Sequence, residues 1–130
     1  MINIAIIDPS KTFRESLKIM LEQIDGFRVV LVSSDDGCLS TKDGARAHIV
    51  LFDCSISPDQ WSEVTKIALF TGMPYKVLLL TMFREEFVAC NYIDKILKSS
   101  AKSEFEFRIK RMMETQESEF PDVYLKLDRS

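Results

Sequence analysis

Three apolar runs constrain this chain more than anything else in it: "INIAII" (2–7), "HIVLFD" (48–53) and "KVLLLTM" (76–82). Their interiors are nearly continuous. A strand with one wet face alternates apolar and polar residues, whereas a strand buried on both faces does not. The runs therefore read as inner strands of a sheet covered on both sides. "FRVVLVSS" (27–34) adds a fourth strand and "DKILK" (94–98) a short fifth.

Between the strands the period becomes helical. Phe13, Leu17, Met20, Leu21 and Ile24 mark one face of a helix over 11–24. Trp61, Val64, Ile67 and Ala68 mark a second, entered through "SPDQW", where Pro58 suits a first turn. Phe87, Val88 and Tyr92 predict a short helix in "REEFVACNY" (84–92). Phe105, Ile109 and Met112 predict a long last one, with Glu104, Glu106, Lys110 and Arg111 toward solvent. "DGCLSTKDGAR" (36–46) is poor in large apolar residues, so only a short or frayed helix is expected there. Strands alternating with helices give an α/β fold: a doubly wound, five-stranded parallel sheet with right-handed crossovers.

Composition narrows the function classes. The chain has 130 residues, enough for one domain with a real core. A net charge of -3 argues against a nucleic-acid-binding surface, which shows as a basic stripe. No run approaches the length of a membrane span, and "MINIAIIDPSK" lacks the basic start of a signal peptide. Cys38, Cys54 and Cys90 show no metal spacing and read as reduced thiols, so a cytoplasmic protein is expected. The single histidine, His48, has no ligand partners nearby and reads as a solvated residue at a strand entry.

In such sheets ligands bind beyond the carboxyl ends of the strands. Those ends carry Asp8, Ser34–Asp36, Asp53, Thr81 and Lys98. Singly, each has an ordinary reading. Asp8 can cap the next helix, Asp53 can bond the amides of "CSISP", Thr81 suits a strand, and Lys98 is a solvated charge. Together they converge on one crevice. No glycine loop follows the first strand to cradle a nucleotide phosphate.

These residues carry a family resemblance. "IAIIDPSKTFRESL", "AHIVLFDCSIS", "KVLLLTMF" and "KILKSS" are similar, in order and spacing, to motifs of the receiver domain of two-component response regulators. The wording is closest to receivers that precede a helix-turn-helix output domain. The resemblance covers residues 2 to about 115 and implies the flavodoxin-like receiver fold, strand order 2-1-3-4-5, with 1–115 as the domain and 116–130 as a tail or linker. It implies a stoichiometric phosphoacceptor rather than an enzyme, working in a phosphorelay. Asp53 would take a phosphoryl group from a histidine kinase or phosphotransfer protein, with Thr81 and Lys98 assisting. Mg²⁺ would be held by Asp8, Asp53 and the backbone carbonyl of Ser55. The face of the fourth helix, fifth strand and last helix would meet a second copy or an output protein.

The sequence departs from that pattern. The second acid of the family's acidic pair is Pro9, which removes an oxygen ligand and predicts weak or absent Mg²⁺ binding. The gap from Thr81 to Lys98 predicts a shortened fourth helix. Lys95 holds the place of the family's switch aromatic, and Phe83 sits at the expected pocket mouth. A second expectation therefore stands beside the first: a degenerate receiver, acting as a phosphorylation-independent interaction or dimerisation module. In the tail, Phe120, Val123, Tyr124 and Leu125 are apolar enough to dock on a protein surface.

Overall fold

The computed structural model describes residues 1–42, 46–56, 60–82 and 94–114. Its elements are β1 (Ile2–Ile7), α1 (Lys11–Glu22), β2 (Phe27–Ser33), a 3-10 turn (Asp36–Ser40), β3 (Ile49–Asp53), α2 (Glu63–Thr71), β4 (Lys76–Thr81), β5 (Lys95–Leu97) and α3 (Lys102–Glu114). The strands form one sheet in the order β2-β1-β3-β4-β5, and every pair is parallel. This is the expected doubly wound arrangement.

Continuous apolar runs feed two cores at once, because successive side chains point to opposite faces. Ile4, Ile6, Ile49, Leu51, Leu78 and Leu80 pack with Leu17 and Leu21 of α1 and Phe105 and Ile109 of α3. Ala5, Ile7, Val50, Phe52, Val77 and Leu79 face the other way, toward Leu39, Ala68 and Tyr75. Register then places the site. Ile7 pairs with Phe52, so the next residue of each chain segment, Asp8 and Asp53, emerges side by side. Thr81 pairs with Leu97, one residue before Lys98.

The 36–46 segment forms a five-residue 3-10 turn at Asp36–Ser40, with Asp35 accepting from the Gly37 N–H at 2.9 Å. The second helix departs from its expected face. It begins at Glu63 behind the Ser62 cap, and Thr65 and Ala68 are its buried residues. Val64 and Ile67 are 45% and 54% exposed. A buried polar relay sets this rotation. Thr65 donates its hydroxyl to Asp36 Oδ2 at 2.7 Å, and its oxygen lies 2.8 Å from the Tyr75 hydroxyl, which is then the donor. Asp36 Oδ2 also accepts the Ser62 N–H at 2.7 Å. An apolar-periodicity reading gives Thr65 no weight, whereas Asp36, Tyr75 and the Ser62 hydroxyl, which donates to Thr65 Oγ1 at 3.2 Å, turn it inward. Pro58, Phe83, Cys90, the 84–92 helix with its shortened length, and the 116–130 tail lie outside the described residues. No helix among the described residues is long and apolar enough to cross a membrane.

Burial pushes the Tyr75 phenol above its ordinary value of 10.0; the Thr65 hydrogen bond lowers it and the charges of Asp36 and Cys38 raise it further. A group raised on folding contributes stability that is complete below its unfolded pKa and is lost as pH climbs through the folded value. Tyr75→Phe is therefore expected to cost about 1 kcal/mol at neutral pH in urea unfolding. Above pH 10 the variant's stability should fall less steeply than that of the unmodified protein, since it has no phenol to ionise at this position.

Candidate functional site: an ammonium between two buried carboxylates

The site is built at the carboxyl edge of the sheet, from the ends of β1, β3 and β5. Asp8 follows β1, its amide bonded to the Ser33 carbonyl at 3.0 Å, and its side chain is fully buried. Asp8 Oδ1 accepts the Ser10 N–H at 2.8 Å across Pro9. Ser10 in turn caps α1 by accepting the Phe13 N–H at 3.2 Å. Proline suits this corner because it lacks an N–H and its φ is fixed. Arg14 closes the turn from the first helical turn, donating Nη1 to the Asp8 carbonyl at 2.5 Å.

Asp53 ends β3 and is 3% exposed. Its Oδ1 accepts the Ser55 N–H at 3.3 Å, and its Oδ2 accepts the Ser55 hydroxyl. Trp61 donates Nε1 to the Ile56 carbonyl at 3.0 Å and sets its ring edge-on to Phe52, centroids 5.2 Å apart.

Lys98 joins the two acids. Its amide is tied to the Thr81 carbonyl at 2.8 Å, which fixes the end of β5 against β4. Its Nζ stands 2.6 Å from Asp8 Oδ2 and 3.2 Å from Asp53 Oδ1. Asp8 Oδ2 accepts no aligned hydrogen bond, so the shorter contact is held by charge. The Phe13 ring flanks the ammonium at 4.9 Å, a favourable cation–π distance. Burial alone would lower the lysine's pKa, but the adjoining Asp8 and Asp53 carboxylates outweigh it, and the pKa is raised above 10.5.

Of the residues expected from sequence, Asp8, Asp53, Ser55 and Lys98 meet. Thr81 is buried at the same edge, with its hydroxyl donated to the Ile96 carbonyl at 3.3 Å, toward β5. Ser55 reaches Asp53 through its amide and hydroxyl. Lys95 opens β5 opposite Leu79. His48 is exposed, and its Nδ1 accepts the Asn3 N–H at 2.9 Å, pinning the start of β3 to β1. Three participants were not expected: Phe13, counted only as a core residue, Arg14, and Ser10. A Ser directly before an apolar-periodic run was the available signal for Ser10.

The fit of a divalent cation can be judged from the donors. Mg²⁺ uses one or two carboxylates plus water in near-octahedral geometry. Two carboxylates are present in number, but each of their four oxygens already faces a donor or the ammonium. Pro9 supplies no oxygen ligand through its side chain, and among the described residues no group of three or more His, Cys, Asp or Glu is poised for a metal. The arrangement does not fit Mg²⁺.

No protein-family model and no curated protein matches the sequence. Solved structures do. The chain aligns with the RcsB response regulator of Salmonella typhimurium at a TM-score of 0.67 and 21% identity, over 91% of this chain and 64% of that one. The fold is that of a response-regulator receiver domain. The isolated REC domain of RcsB from Salmonella enterica serovar Typhimurium gives a TM-score of 0.65 at 19% identity, covering 88% of this chain and 90% of that receiver. A chain from the complex of the CheA3 P1 domain with CheY6 from R. sphaeroides gives 0.65 at 14% identity, over 88% and 98%. This chain thus spans less than two thirds of the RcsB response regulator and nearly all of the isolated receiver.

Removing one member of a buried ion cluster leaves an uncompensated charge, which costs more than the intact cluster gains. Lys98→Met is expected to lower stability by about 3 kcal/mol in urea unfolding. Lys11→Met, which breaks the exposed 4.0 Å pair with Glu15, should leave stability unchanged within experimental scatter.

Proposed function

We propose that this chain is a receiver-type signalling module that accepts a phosphoryl group on Asp53 from a histidine kinase or phosphotransfer protein. The observation that carries this reading is the convergence of Asp8, Asp53 and Lys98 at the carboxyl edge of a receiver-fold sheet. In the proposed step a carboxylate oxygen of Asp53 attacks phosphorus. The phosphorus–nitrogen bond of the donor phosphohistidine breaks, its electron pair leaves on the imidazole nitrogen, and an acyl phosphate forms. Such transfers are governed by positioning and charge compensation. Lys98 supplies the charge, since its ammonium is already 3.2 Å from the attacking group. Thr81 would exchange its bond to Ile96 for one to a phosphoryl oxygen. The chain acts as acceptor once per cycle and turns over no substrate. The neighbour drawn from a complex of a CheA3 P1 domain with CheY6 supports a kinase-side partner of this kind.

A second reading rests on Pro9. Where the receivers it resembles carry an acid, this chain carries a side chain without oxygen, which favours an interaction module that works without phosphate. Intact-mass measurement after incubation with a small acyl phosphate separates the two. A gain of one phosphoryl mass is expected, absent in Asp53→Asn and slower to appear in Thr81→Ala. An unmodified mass in the presence of excess donor, with and without Mg²⁺, would leave the phosphate-independent module as the function.

A further inference from the structure

A cation that bridges Asp8 and Asp53 has to stand between them, and Lys98 Nζ stands there, 2.6 Å and 3.2 Å from one oxygen of each. The chain itself satisfies the remaining oxygens. The Ser10 N–H holds Asp8 Oδ1, and the Ser55 hydroxyl holds Asp53 Oδ2. The lysine is secured from behind as well, by its amide bond to Thr81 and by the Phe13 ring. Charge completes the picture. Two carboxylates and one ammonium leave a single net negative charge, which the Arg14 guanidinium on the Asp8 carbonyl offsets further, so a divalent ion is attracted weakly. To bind both acids, such an ion would have to expel Lys98 and then lie beside it.

We propose that the Lys98 ammonium is the resident cation of this pocket, standing in for a divalent metal, and that the pocket takes up no Mg²⁺ at millimolar concentrations. Pro9 and Lys98 then form a matched pair: the proline removes the acid that would pull a metal in, and the lysine neutralises the acids that remain. This holds whether or not Asp53 accepts phosphate, which the intact-mass measurement scores separately.

The test is a titration of the full chain with Mg²⁺ alone. It is followed by the fluorescence of Trp61, the single tryptophan, whose ring lies against Phe52 one residue before Asp53. Calorimetry and the shift of Tm between EDTA and excess Mg²⁺ give independent readouts. No saturable signal and no Tm shift are expected for the unmodified chain. Lys98→Gln removes the ammonium that would repel an entering cation and is expected to bind Mg²⁺ at least about tenfold more tightly and to gain Tm from it. Pro9→Asp adds a negative charge and is expected to do the same, and it decides the matter if Lys98→Gln does not fold. Saturable Mg²⁺ binding by the unmodified chain overturns the proposal. So does a Pro9→Asp variant, or a folded Lys98→Gln variant, that stays as silent as the parent, because charge balance would then not be what keeps the metal out.

Discussion

Two carboxylates buried side by side at the end of a parallel sheet cannot stay there unpaired. Desolvation would destabilise the edge or open it to water. The Lys98 ammonium removes that conflict, and much of the architecture follows from where it must stand. Strand β5 is only three residues long and lies at the sheet edge. Its extension into Lys98 draws it across the mouth of β4 to acids on β1 and β3. The ion cluster therefore ties the edge strand to the centre of the sheet, a link that three residues of backbone pairing would supply weakly.

Asp8 shows how one residue can serve a fold and a site together. One carboxylate oxygen organises the turn through Pro9 into α1, and the other faces Lys98. The residues that complete this arrangement, Ser10, Phe13 and Arg14, all come from the first turn of α1 or its cap. The helix start is thus part of the pocket wall. Its geometry and the charge of the pocket are set by the same few residues, so a substitution at Pro9 acts on both.

Much of this was legible before the coordinates. Inner strands buried on both faces announce themselves as unbroken apolar runs, and alternation with helical periods gives a doubly wound sheet. The polar residues that stop the runs at Asp8, Asp53, Thr81 and Lys98 then mark the carboxyl edge. What the sequence hid were interactions that periodicity does not count. Thr65 turns α2 because Asp36 and Tyr75, distant in sequence, meet its hydroxyl. Phe13 reads as core because an aromatic at helical spacing looks the same whether it faces leucine or an ammonium. Ser55 was expected to matter through its carbonyl, but its hydroxyl and amide are what embrace Asp53, a rotamer-level detail beyond any pattern.

Lys98 and Asp8, 2.6 Å apart, form a coupled pair and not two independent polar residues. A double-mutant cycle in urea unfolding, with Asp8→Asn, Lys98→Met and the combined variant, measures that coupling. A coupling of about 2 kcal/mol is expected, with the double variant distinctly more stable than the sum of the single losses allows. Losses that add within roughly 0.5 kcal/mol would contradict it, since uncoupled residues behave that way.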